Sequence, residues 1–168
     1  MKNLIAISTA FILATGFTTE QKTSLTDYNE KKIYAVSFTK IVVENNIDLT
    51  LVESDERSIE LSGNEEDIAK VDWKIKDGVL YLKARRGLPE HKLLVTLSVK
   101  GLKEIEIGGA STVRSLGSIE SAALYIYMNG MGDVNITNMG KIFLVGGDGI
   151  NLDVKKKTAN VSVLGDEV

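Results

Sequence analysis

The chain has 168 residues, enough for one domain with a core and too few for two sizeable ones. Its 23 acidic and 20 basic side chains leave a formal net charge of -3, so no basic stripe is offered to a phosphate backbone and nucleic acid is not expected as a partner. Cysteine is absent, which removes disulfides, a thiol nucleophile, cysteine-based metal centres and a lipidated cysteine behind a leader.

Residues 1–18 read as a secretory signal peptide. Lys2 forms a short positive start, an apolar stretch runs from Leu4 to about Phe17, and Ala14 and Gly16 stand where small residues precede a cleavage site. The run is shorter than the roughly 20 residues a spanning helix needs, so the expected product is an exported, soluble chain beginning between about Phe17 and Gln21. Residues 19–33 are polar and without period, a linker to a domain over residues 34–168.

From there the pattern is β. "IVVENNIDLTLVES" puts Ile47, Leu49 and Leu51 on one face of a strand, and "SIELSG" repeats the alternation with Ile59 and Leu61. The one plausible helix, "GNEEDIAKV", is long enough for a turn or two. "VDWKIKDGVLYLKARR" carries Val71, Trp73 and Ile75 on one face, then Asp77-Gly78, then Leu80 and Leu82. Asp-Gly between alternating runs predicts a hairpin closed by a type I′ turn, because both central residues of that turn need positive φ.

After Lys92 the alternation recurs. "KLLVTLSVKGLKEIEIGGASTV" turns at Gly108 and Gly109, and "ALYIYMNGMGDVNI" turns at Gly130 and Gly132. "KIFLVGGDGINLDV" and "ANVSVLGDEV" repeat the phrase. Equating Val113, Val134, Ile150 and Val168 gives a step of about 16–21 residues, the size of one coil in a stacked β-solenoid, preceded here by strand and hairpin segments. The competing architecture is an antiparallel meander, which predicts no recurring phrase.

The segments "FTKIVVENNIDLTLVE", "DGVLYLKAR" and "KLLVTLSVKGLKEIEIGGASTV", with the repeated strand and glycine-aspartate phrases, resemble the putative auto-transporter adhesin, head GIN domain family over about Tyr34 to Val168. The resemblance implies a right-handed β-helix-like domain in an exported protein of a Gram-negative bacterium. This chain has "GGAST", "NGMGD" and "VGGDG" where members carry Ser-Gly-Ser-Gly turns. Members also usually continue further, which implies an open or truncated last coil and self-association through it.

No catalytic, cofactor-binding or metal-ligating residue is assigned. "GGDGINLDV" departs from the calcium nonapeptide at Asn151 and Asp153, has no tandem copy, and lacks the Lys-Ser or Lys-Thr and helix of a phosphate loop. Asp133, Asp148 and Asp166 are expected on one edge of the coils as turn formers that need no calcium. His91, the sole histidine, sits in "RRGLPEHKLL" without an orienting partner, a surface histidine and not part of a triad. Lys155, Lys156 and Lys157 form a solvated turn, with an anionic polysaccharide or phospholipid as the bolder reading. Trp73, Tyr81, Tyr125 and Tyr127 are what a sugar-binding face would use, and equally what cross-strand packing would use; the alternation leaves open which face of Tyr125 and Tyr127 is the core.

Two functions follow. One is a non-catalytic cell-envelope or surface module, periplasmic, outer-membrane-associated or at the cell surface, binding glycan or envelope protein. The other is a β-helix polysaccharide lyase or hydrolase, for which Asp133, Asp148, Asp166 and Arg114 would have to converge in a groove. The first is preferred because nothing in the sequence converges them.

Overall fold

The computed structural model describes residues 29–34, 37–85, 94–130, 132–146, 151–152 and 161–164, the last two stretches as backbone only. Fourteen strands and one turn of helix follow in the order β1 (Asn29–Tyr34), β2 (Lys40–Glu44), β3 (Asp48–Glu53), β4 (Ser58–Gly63), α1 (Glu65–Ile68), β5 (Val71–Lys76), β6 (Val79–Ala84), β7 (Leu94–Val99), β8 (Glu104–Ile107), β9 (Thr112–Ile119), β10 (Ala123–Met128), β11 (Asp133–Asn138), β12 (Lys141–Gly146), β13 (Asn151–Leu152) and β14 (Val161–Leu164).

They form two seven-stranded mixed sheets that do not close on each other. Sheet I has the order β1-β4-β7-β3-β9-β11-β13, and sheet II the order β14-β12-β10-β8-β2-β6-β5. From β8 onward the chain alternates between the sheets, so that from β10 each strand pairs in parallel with the one two elements earlier, while β8 and β9 lie against β2 and β3. Antiparallel pairing is confined to β1, β4 and β7 in sheet I and to the β5–β6 hairpin in sheet II. The hairpin turns on Asp77 at φ 53° and Gly78 at φ 76°, the two positive values that a type I′ turn requires. Helix α1 is a single turn whose Asn64 side chain accepts from the Asp67 N–H, as a helix cap should.

The alternation read from the sequence becomes rows of side chains across the strands. In sheet II, Ile41, Ile105, Ile126 and Leu144 lie in register, as do Val43, Ile107 and Met128 one pleat further on. Leu61, Val95, Leu49, Val113 and Val134 form the matching row in sheet I. All of these are buried and join one apolar cluster. Burial of the two inward faces is the main stabilising term, because each strand alone exposes an apolar edge that only a neighbouring row can cover.

The glycine phrases are the corners where the chain leaves sheet II for sheet I. Asn45 and Asn46, at φ 65° and 54°, make the first of these corners, and Gly109, at φ 73°, lies in the second. A Cβ on Gly130 would stand 2.5 Å from the Gly109 carbonyl oxygen, so successive corners are stacked in contact and glycine is required by the close approach. At the opposite corner the buried Asn138 donates from Nδ2 to the carbonyls of Ser121 and Lys141 and accepts at Oδ1 from the Ser121 N–H.

The register corrects one expectation. The Cα partner of Val134 is Leu152, two residues beyond Ile150, because the glycine corners differ in length and aligning the turns shifts the strand behind them. Ile150 and Val168 lie outside the described residues. Within sheet I, Asp133 is aligned with Thr112 and Asn151, so the next position in its row is an asparagine and not Asp148. Strand β1 takes up the last residues of the polar stretch read as a linker; its side chains are mostly exposed, which is why no alternation announces it. No helix among the described residues is long and apolar enough to cross a membrane.

Candidate functional site

Alternation along β10 decides the orientation of its tyrosines. Leu124, Ile126 and Met128 are buried, so Tyr125 and Tyr127 project from the outer face of sheet II. Parallel register carries this pattern sideways. One outer row runs Val79, Lys40, Glu104, Tyr125 and Phe143, and the next runs Lys74, Tyr81, Val42, Glu106, Tyr127 and Val145. The rings of Tyr125 and Phe143 stack at 4.8 Å between centroids with 14° between planes, a ladder contact across two strands, and Tyr125 keeps 39% of its surface exposed.

The charges on this face are arranged as cross-strand pairs. Lys40 Nζ lies 2.7 Å from Glu104 Oε1 and 3.1 Å from Glu106 Oε2, and the hydrogen bond to Glu104 is the main reason its pKa is raised. Lys83 Nζ meets Glu44 Oε2 at 2.7 Å. Arg85 grips Asp72 with two hydrogen bonds, Nε to Oδ2 at 2.9 Å and an Nη to Oδ1 at 2.6 Å. That fork holds the Asp72 carboxyl below the ordinary range, with Lys83 adding to the effect, and raises Arg85 in turn.

A groove of about 410 Å³ opens where β2, β6 and β5 meet on this side, with Val42, Tyr81, Lys74, Glu44 and Asp72 among its walls. Lys74 Nζ sits 5.0 Å from the centroid of the Tyr81 ring, a cation–π distance. Trp73 also borders the groove, 37% exposed on the edge strand β5.

Of the residues singled out in the sequence, Tyr81, Tyr125 and Tyr127 are brought to one face, whereas Trp73, aligned with the buried Leu82, belongs to the other side of edge strand β5 and only borders the groove. Phe143 was missed. Its signal was available, since "ALYIYM" and "KIFLVG" align with Tyr125 over Phe143 once the strands are set in parallel. Arg114 and Asp133 occupy neighbouring strands of sheet I, but Arg114 donates from Nε to the Thr50 hydroxyl. His91, Asp148, Asp166 and Lys155 to Lys157 lie outside the described residues. Among the described residues no three acidic or histidine side chains gather as a metal site would need. Asp72, lowered and clamped by Arg85, is the opposite of the raised acid that glycoside hydrolysis uses. The arrangement is chemically suited to recognition: flat aromatic surface, fixed charges and one groove.

The fold and this face thus define an all-β domain of two open mixed sheets with an aromatic, ion-paired outer surface. Residues 37–166 match the model of the family described as "Putative auto-transporter adhesin, head GIN domain", and the chain belongs to that family. Among solved structures, a "putative lipid binding protein" from Parabacteroides distasonis superposes with a TM-score of 0.62 at 14% identity, over 82% of this chain and 66% of that one. At that identity the likeness concerns the fold, and the chain spans only those 66% of the other protein's length. A "putative adhesin" from the same organism gives 0.48 at 19% identity over 82% and 79% of the two chains. One from Parabacteroides merdae gives 0.46 at 15% over 82% and 96%. No curated protein sequence matches the chain.

Proposed function

We propose that the chain is a non-catalytic, exported binding module of the bacterial cell envelope or surface, and that it holds glycan or envelope protein on the outer face of sheet II. The observation that carries this reading is the aromatic ladder of Tyr125 and Phe143 set among paired charges, on a face whose strands have already satisfied their backbone groups within the sheet. Such a surface binds through side chains: rings take up the apolar faces of sugars or of protein side chains, and fixed charges select the approach. Membership of the family supports export, and the leader-like residues 1–18 supply the route.

The parallel rows also support a finer account of the architecture, in which β8 to β14 are coils of a right-handed β-helix, each about 18–21 residues long. A crystal structure reads the sense of the path directly, and a left-handed path overturns it.

The binding reading is tested by titrating the mature chain against a panel of neutral and acidic glycans and native envelope extracts, beside a Tyr125→Ser/Phe143→Ser variant. Loss of the stacked pair is expected to weaken the ligand by about 3- to 10-fold, the equivalent of ~0.5–1.5 kcal/mol. Unchanged affinity in the variant, or turnover of any glycan, refutes it. Intact-mass spectrometry of the protein from its host tests export; full-length chain in the cytoplasm refutes that part.

A further inference from the structure

We infer that the groove between β2, β6 and β5 is a subsite for an acidic saccharide, with Lys74 as the partner of a uronate carboxylate. The inference rests on the glycan-binding reading above and names the ligand class and the position.

Charge accounting at the groove gives the first reason. Its two carboxylates are each occupied, Glu44 by Lys83 at 2.7 Å and Asp72 by the Arg85 fork. Lys74 makes no ion pair with any of the described residues, and its ammonium instead rests 5.0 Å over the Tyr81 ring. Among the described residues, the groove therefore carries one positive charge without a counterion, held in place by the ring beneath it. A preformed single cation beside neutralised acids complements a monoanion and repels neither of its neighbouring hydroxyls.

The second reason separates a saccharide from an acidic peptide. β6 lies between β2 and β5, so its N–H and C=O groups are spent in the sheet beneath the groove. A peptide laid across β6 would find no backbone to pair with there, the outer edge of β5 being the one open strand edge beside the groove among the described residues, whereas a sugar ring is satisfied by side chains and apolar wall. Val42 and Tyr81 supply that wall, and about 410 Å³ is room for a ring with its substituents.

The third is direction. Tyr81 and Tyr127 stand in one outer row, three strands apart, or about 14 Å at ordinary strand spacing. Tyr125 and Phe143 continue the surface beyond. A linear oligosaccharide crossing the strands can thus place one acidic ring in the groove and its next rings toward the aromatic ladder.

The experiment is calorimetric titration of the mature chain with three probes, oligogalacturonate, oligomannuronate and a hyaluronan oligosaccharide, each beside its methyl-esterified form, and with triglutamate. The expected result is binding of at least one acidic oligosaccharide, weakened about tenfold or more by esterification, by Lys74→Gln and by raising the salt concentration. Lys74 is exposed, so the variant keeps the fold, and a matching melting curve verifies this. The proposal is overturned if none of the three acidic probes binds, if ester and acid bind alike, if Lys74→Gln leaves affinity unchanged, or if triglutamate binds as tightly. Failure here with retained binding of neutral glycans through Tyr125 and Phe143 removes the groove and leaves the broader reading standing. Absence of any glycan or envelope-protein binding removes both.

Discussion

Replacing Gly140 by alanine tests the stacking of the corners directly. A Cβ at this position would lie 2.3 Å from the carbonyl oxygens of both Ser121 and Ala122 and 2.6 Å from the Ala122 carbonyl carbon. These are backbone atoms of the preceding corner, so no side chain can swing aside. The corners must separate by about 1 Å to restore ordinary contact. Three hydrogen bonds stitch them together at this point: Met139 N–H to Ile119 O at 2.9 Å, Gly140 N–H to Ser121 O at 3.1 Å and Lys141 N–H to Ala122 O at 3.0 Å. Weakening two or three such bonds at ~0.5–1.5 kcal/mol each, with the strain of overpacking at about 1–3 kcal/mol, gives a loss of roughly 2–7 kcal/mol. For a domain of this size that lowers the melting temperature by about 5–20 °C. Gly108→Ala is the internal control, because its Cβ would meet the Val43 carbonyl at an ordinary 3.5 Å and should change the melt by no more than about 2 °C. Thermal unfolding followed by circular dichroism reads both. Equal melting temperatures for the two variants would refute the close stacking and the register on which it depends.

Asn138→Leu should cost about 2–4 kcal/mol in urea unfolding, since it strips partners from the Ser121 N–H and two carbonyls at a buried corner; a neutral result would mean that water replaces the amide. The two shifted groups of the outer face set opposite pH dependences. Asp72 is lowered by Arg85, so its contribution is present above the ordinary carboxylate range and is lost as pH falls through its folded value. Lys40 is raised, so its contribution is full below 10.5 and is lost as pH rises through its folded value. Asp72→Asn should flatten the acid limb of a urea-midpoint profile and Lys40→Gln the alkaline limb, and exchanged effects would contradict the pairing. Melts in millimolar calcium and in excess chelator should coincide, whereas a site with a dissociation constant a hundredfold below the free ion would add about 2.7 kcal/mol.

Much of this architecture is written in local pattern. The alternation of Leu124, Ile126 and Met128 fixes a strand, Asp77-Gly78 fixes a hairpin, and the glycines at 108–109 and 130–132 fix corners, because each depends on backbone geometry or pleat that neighbouring residues determine alone. What lies across strands is less legible. Nothing near Ile41 announces that its partner is Ile105, since the excursion through β3, β4, α1, β5, β6 and β7 separates them in the chain. The two-residue displacement between Ile150 and Leu152 has the same origin: turn residues tolerate changes of length, and the strand register behind them follows packing and not the turn. The outer face was half visible for the same reason. Tyr125 and Tyr127 declare themselves as a pair on one strand, but Phe143 joins them only through a parallel neighbour. The groove beside Lys74 depends on three strands that the sequence lists far apart.

The alternation of the chain between sheets also sets how the molecule can assemble in time. From β10 onward every new strand lands beside one laid down about twenty residues earlier, so each addition closes a short loop and finds its template already in place. β2 and β3, by contrast, meet β8 and β9 only across more than half a hundred intervening residues. Apart from the β5–β6 hairpin, the low-separation half is therefore where order is cheapest to begin, with β8 to β12 as the seed. The earlier strands are then recruited onto its exposed edges, so that growth runs backward along the chain from a middle that forms first.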